Sequence, residues 1–122
     1  MNNKENIVKS KSYSFAIRIV KLSQYLQNEK KEFILSKQVL RSGTAIGALI
    51  REAEYGQSKT DFIHKLSIAL KEANETGYRI NILKDTNFID GKLFKSLSNN
   101  CEELIKLLTA SIKTAKQNIN NK

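Results

Sequence analysis

The sequence predicts an all-α fold, an up-down-up-down four-helix bundle, and three observations predict it. The chain carries no proline in 122 residues, and interior proline is what helices exclude most strongly. Apolar residues recur every three or four positions in four separate segments, the spacing of one helical face. No run alternates with period two for long enough to make a strand. A single domain over residues 1–122 is the natural expectation, long enough for one core. Hydrophobic residues at 40% and charged residues at 27% fit a globular protein.

The first helix is expected over about residues 12–28, capped by Ser12 or Ser14, with Phe15, Ile19, Leu22 and Leu26 as its stripe and Ala16, Val20 and Ser23 beside it. NEKKEF then reads as a polar connection. Ser36 suits the cap of a second helix over about 37–55, with Val39, Leu40, Gly43, Ile46, Gly47 and Ile50 on one side. Gly56 stands where a C-terminal glycine belongs. Ser58 or Thr60 caps a third helix over about 60–86, striped by Phe62, Leu66, Ala69, Ala73, Thr76, Ile80 and Leu83. Asp90-Gly91 is the next turn pair. The fourth helix is expected over about 92–117, with Leu93, Leu97, Cys101, Leu104, Leu108, Ser111 and Ala115 in line and NINNK as a frayed tail.

One stretch runs against this pattern. RSGTAIGALIREA, from Arg41 to Ala53, puts Gly43 and Gly47 inside a helix, where each costs roughly 1 kcal/mol relative to alanine. A phosphate-binding P-loop needs GxxxxGK[ST] after a strand, and neither the lysine nor the strand is present. Gly43-Thr44-Ala45-Ile46-Gly47 is a GxxxG, which lets two helices approach closely. Ser42–Ile50 is charge-free but far short of the ~20 residues that span a bilayer, so close packing in water is the surviving reading. The partner helix belongs either to this chain or to a second copy.

The chemistry-bearing residues are sparse. Asp61 and the single histidine, His64, lie three apart, but one histidine per chain cannot build a carboxylate-bridged di-iron site. Asp61 also suits the helix dipole where it stands. Glu72 and Glu75 are a carboxylate pair that acid–base chemistry could use; pairing with Arg41, Arg51 or Lys71 is the favoured reading. Cys101, the only cysteine, falls on an apolar stripe as a small hydrophobe and allows no intramolecular disulfide. No catalytic residue, metal site or cofactor is assigned. The N-terminus lacks the apolar core of a signal peptide, and with the lone cysteine this gives the expectation of a cytoplasmic protein without membrane association.

The net charge of +9, with a pI near 9.7, points to acidic partners. Codon bias toward lysine, asparagine and isoleucine would produce the same excess. From Asn6 to Asn28 the chain holds Lys9, Lys11, Arg18 and Lys21 with no acid; from Leu104 onward it holds Lys106, Lys113, Lys116 and Lys122, again with none. In an up-down-up-down bundle the start of the first helix and the end of the fourth share a pole, with Arg51 and Lys59 nearby. Folding should therefore concentrate positive charge there, as a phosphate footprint does. Without an RRM, KH or zinc-finger pattern, such a surface reads shape and charge rather than bases.

RSGTAIGALIREA followed by SKTDFIHKLSIALKEANET resembles the bacterial four-helix bundle proteins first noticed as reading frames in intervening sequences of large-subunit ribosomal RNA genes. The resemblance covers roughly Tyr13 to Leu108 and is most specific from Ser36 to Leu83. It implies a left-handed bundle assembling into a ring-like homopentamer, without established catalytic activity and mostly of unknown function. It also implies a relation to the accessory variability determinant of diversity-generating retroelements, which associates with a reverse transcriptase and nucleic acid. Arg41, Ser42, Ile46, Glu52, Phe62, Ala69, Glu72, Glu75 and Thr76 match the family pattern as structural or interface positions. Ala45, Leu49, Gly77 and Arg79 depart from it, standing where serine, asparagine, an acid and tryptophan are usual.

The resulting expectation is a non-enzymatic homo-oligomer that binds RNA or DNA phosphates, possessing no cofactor. Lys9, Lys11, Arg18, Lys21, Arg51, Lys113 and Lys116 are its candidate nucleic-acid-binding residues. Arg41, Ser42, Gly43, Ile46, Gly47, Glu52, Glu72 and Glu75 are its candidate close-packing or interface residues. The alternatives are a protein-interaction scaffold that binds no nucleic acid, and an enzyme using Glu72, Glu75 and His64 across a subunit boundary.

Overall fold

The computed structural model describes residues 3–120, which form four helices: α1 (Asn3–Asn28), α2 (Leu35–Glu54), α3 (Lys59–Asp85) and α4 (Gly91–Asn120). No strand occurs among the described residues. Each helix packs on its two neighbours in a closed cycle, α1–α2–α3–α4 and back to α1, with no diagonal contact among the described residues. One cleft is lined by Glu5 of α1, Ala53 of α2, Lys59 of α3 and Asn118 of α4, so neighbouring helices run antiparallel. This is the up-down-up-down bundle that the periodicity predicts.

The predicted stripes form the core. Phe15, Ile19, Leu26, Ile46, Ile80, Leu83, Leu97, Leu104 and Leu108 are fully buried. Polar groups inside it are satisfied: the Ser42 and Thr76 hydroxyls share a hydrogen bond of 2.9 Å, and the Ser23 hydroxyl donates to the Ser36 carbonyl at 3.1 Å. Val20, placed beside the first stripe, is instead exposed.

Two helix starts differ from expectation. α1 begins by Asn3, well before Ser12, because Val8 extends the buried stripe upstream of Phe15. Ser12 is a buried mid-helix serine whose hydroxyl donates to the Lys9 carbonyl at 2.9 Å, whereas a capping serine accepts from an N–H further on. Ser36 is likewise buried inside α2; the Glu32 carboxylate accepts from the Ser36 N–H at 2.8 Å and does the capping. The Ser58 cap is present, its hydroxyl accepting from the Asp61 N–H at 3.0 Å.

The turns also differ in detail. Gly56 does not use positive φ; a Cβ there would lie 3.0 Å from the Asp61 carboxylate and 3.1 Å from the Ala53 carbonyl, so the glycine provides room. Among the described residues the left-handed ones are Lys31 (φ 53°) and Asn87 (φ 66°). Asp90 caps α4 by accepting from the Leu93 N–H at 2.7 Å, and Gly91 opens that helix. No glycine or proline follows Gln117, and α4 continues through Asn120; Asn121 and Lys122 lie outside the described residues.

The glycine question resolves within the chain. A Cβ on Gly43 would lie 2.8 Å from both γ-carbons of Ile19, so α1 presses its β-branched residue onto the α2 backbone. A Cβ on Gly47 would lie 3.4 Å from the Ser12 hydroxyl, an ordinary contact. Gly77, which faces Cys101, is equally tolerant: a Cβ there would stand 3.6 Å from the sulfur.

This packing separates two substitutions of the same chemistry. Gly43→Ala gains helix propensity of about 1 kcal/mol but overpacks a stiff, fully buried isoleucine, which costs about 1–3 kcal/mol. Urea unfolding should show a net loss for Gly43→Ala and a gain of about 0.5–1 kcal/mol for Gly77→Ala, whose methyl meets no obstacle. An equal response at both sites would refute the close-approach account.

Cys101 is buried and its thiol donates to the Ala73 carbonyl at 3.2 Å. Burial, then the Glu102 charge, pushes its pKa from the ordinary 9.0 to about 11, against a lowering backbone hydrogen bond from Gly77. The raised folded value stabilises the protonated thiol fully below pH 9 and loses that contribution as pH rises toward 11. At about 1.4 kcal/mol per pH unit, the wild type should lose up to about 2–3 kcal/mol more than Cys101→Ala over that interval. Parallel urea-derived stability curves for the two proteins would disprove it.

Candidate nucleic-acid interface

The shared pole is built by the start of α1, the α2–α3 turn and the end of α4, around a cleft of about 340 Å³. Arg51 stands on the last turns of α2, Lys59 opens α3, and Lys113 and Lys116 stand on the last turns of α4. All four are exposed, and none has an ion-pair partner among the described residues. Lys59 is placed against local stability, since a cation at a helix N-terminus opposes the helix dipole. The same dipole and that lysine both attract anions.

The other predicted cations are engaged or distant. Lys9 pairs with Glu54 at 2.8 Å and Lys11 with Glu103 at 3.1 Å. Arg18 donates to the Asn100 side-chain oxygen at 2.6 Å and to the Ser96 hydroxyl at 2.9 Å. The acid-free run of α1 is therefore not acid-free in space: α2 and α4 bring carboxylates to it. Lys21 is exposed but lies twelve residues beyond Lys9, about 18 Å along α1, in a groove with Tyr25 and Leu93 toward the opposite pole. Lys122 lies outside the described residues.

The carboxylate pair is held by arginines. Glu72 accepts from Arg41 at 3.3 Å, and Glu75 accepts from Arg41 at 3.4 Å and Arg79 at 3.5 Å. Glu52 pairs with Lys65 at 3.5 Å. His64 is exposed. The Asp61 carboxylate is committed to the α2–α3 turn, accepting from the Gln57 N–H at 3.3 Å. Among the described residues no group of three histidine, cysteine, aspartate or glutamate side chains converges on a metal-sized site.

The candidate packing residues divide by burial. Ser42, Gly43 and Ile46 are buried within the bundle, with Gly43 against Ile19 of α1 and Ser42 against Thr76 of α3, the same-chain one of the two close-packing alternatives. Gly47 is half-buried on the α1 side, and Arg41 and Glu52 are exposed. Sequence reasoning missed Tyr13, which lines a groove with Arg51, and Tyr55, four residues beyond Arg51; both are highly exposed. The signal was available: Tyr55 follows Arg51 by four, one helical turn.

Among the described residues no helix is long and apolar enough to cross a membrane. No curated protein matches the chain. A crystallised protein of unknown function from the S23 ribosomal protein family of Bacteroides thetaiotaomicron VPI-5482 is similar in both sequence and fold. It shares 56% identity, with a TM-score of 0.89 over 90% of this chain and 98% of that one. The 23S rRNA-intervening sequence protein family matches residues 4–110, nearly the whole bundle. By that match, and by the fold it shares with the Bacteroides protein, the chain belongs to the 23S rRNA-intervening sequence protein family.

Proposed function

We propose that this protein is a non-enzymatic, self-associating helical bundle that binds RNA or DNA through phosphates in the cytoplasm, as an accessory to a nucleic-acid enzyme such as a reverse transcriptase. The observation that carries the reading is the set of exposed, unpaired cations at one pole: Arg51, Lys59, Lys113 and Lys116. Lys9, Lys11 and Arg18 leave the proposed surface because protein groups already occupy them. The non-enzymatic reading rests on Glu72 and Glu75, whose carboxylates are held by Arg41 and Arg79, and on His64, about 12 Å along α3 from Glu72.

Binding of structured RNA and duplex DNA across a salt series tests this reading. Four neutralised phosphates give a log–log slope of about 3.6 on duplex DNA. Changing Arg51, Lys59, Lys113 and Lys116 to glutamate should abolish binding with the fold intact. Lys9→Ala with Lys11→Ala should change the slope little. Absence of binding at low salt sinks the proposal.

Self-association is its second part, and a ring of five subunits is the number the family resemblance implies. Ile17 and Val20 on α1 and Phe33 and Ile34 before α2 are exposed apolar side chains that such contacts would cover. Sedimentation velocity should give about five times 13.9 kDa, falling toward one subunit for Ile17→Glu with Val20→Glu. A monomeric wild type overturns this part. These same apolar residues favour the second reading, a protein-interaction scaffold, which gains if the assembly forms and no nucleic acid binds.

A further inference from the structure

The outer seam between α1 and α2 holds an open groove of about 490 Å³. Ala16, Gly47 and Ala48 contribute nothing longer than a methyl group to it, and Tyr13, Thr44 and Arg51 line it with them. Tyr13 is 63% exposed, and Tyr55, just beyond Arg51, is 80% exposed. Neither ring makes a hydrogen bond or a cation–π contact among the described residues, and Arg51 has no acidic partner there. Ser12 packs beside Gly47, eight residues before Tyr55. Tyr13 and Tyr55 are therefore offset by about 12 Å along the helix axis, with Arg51 between them.

A single exposed tyrosine needs no explanation. Two that bracket an unpaired arginine, Tyr13 lining the groove and Tyr55 one helical turn past Arg51 at its end, repeat the arrangement by which proteins hold unpaired strands, with rings stacking on bases and cations meeting phosphates. We infer that this groove binds single-stranded nucleic acid, with bases stacked on Tyr13 and Tyr55 and a phosphate on Arg51. The inference rests on the phosphate-binding reading above and narrows its ligand. A duplex offers this surface only phosphates, because its base faces are already stacked inside; an unpaired strand offers π-faces as well. Stacking is tolerant of base identity, in keeping with a chain that lacks base-reading motifs.

The test is fluorescence anisotropy of the full chain with labelled oligo(U), labelled oligo(dT) and a duplex of equal length. Tyr13→Ala and Tyr55→Ala should each weaken single-strand binding about tenfold and leave duplex binding unchanged. Tyr55→Phe should restore it, since the ring remains. Arg51→Glu should weaken binding to both strands and duplex. Both tyrosines are exposed, so these variants keep the fold, which thermal unfolding checks. If duplex binding persists while the alanine variants bind single strands normally, this inference fails and phosphate binding stands. If no nucleic acid binds at low salt, both fail. If the alanine variants lose assembly in sedimentation and lose both ligands equally, the rings serve self-contact and the stacking role is overturned.

Discussion

The close approach of α1 to α2 is the contact on which the rest of the molecule depends. Gly43 offers bare backbone, and Ile19 sits directly against it. That contact fixes the register of the two helices, and the register then decides the surface chemistry. It places Lys9 opposite Glu54 and the Ser23 hydroxyl opposite the Ser36 carbonyl. The same offset leaves Arg51 without an acid among the described residues. Packing inside the bundle thus determines which cations are neutralised and which remain available outside it.

The helices were legible because a buried stripe at helical spacing is a property of the sequence itself: Phe15, Ile19, Leu22 and Leu26 are all buried as their spacing requires. The ends were less legible. Ser12 and Ser36 carry the chemistry of caps, yet Ser12 is buried in mid-helix and Ser36 one residue inside the start of α2, and nothing local distinguishes the two uses of a serine hydroxyl. Glu32 caps α2 from a position that reads as ordinary polar loop. The candidate surface was half legible. A run of lysines without acids says nothing about carboxylates on other helices, and Glu54 and Glu103 cancel two of its members. The placement of Arg51, Lys59, Lys113 and Lys116 at one pole follows from topology alone, which is why it could be read in advance.

Two lysines are held in places that local stability does not favour. Lys59 opens α3 against its dipole, and Lys31 adopts a left-handed backbone that a non-glycine residue adopts with strain. By contrast, Arg79 is integrated: it shares Glu75 with Arg41 across the α2–α3 surface. A cation tied into such a network belongs to the scaffold. One placed against its helix and left unpaired is available to something else.

The seam between α1 and α4 differs from the other three in kind. It is the sole helix pair brought together from opposite ends of the chain, and it is also the sparsest. Polar links cross it, Lys11 to Glu103 and Arg18 to Asn100, beside an open groove of about 660 Å³. The three sequential hairpins give a low contact order and form quickly, so closure of this seam is the late, non-local step of folding. Amide exchange in the first turns of α1, ahead of the core of α2 and α3, is the expected sign that the native state opens along this seam.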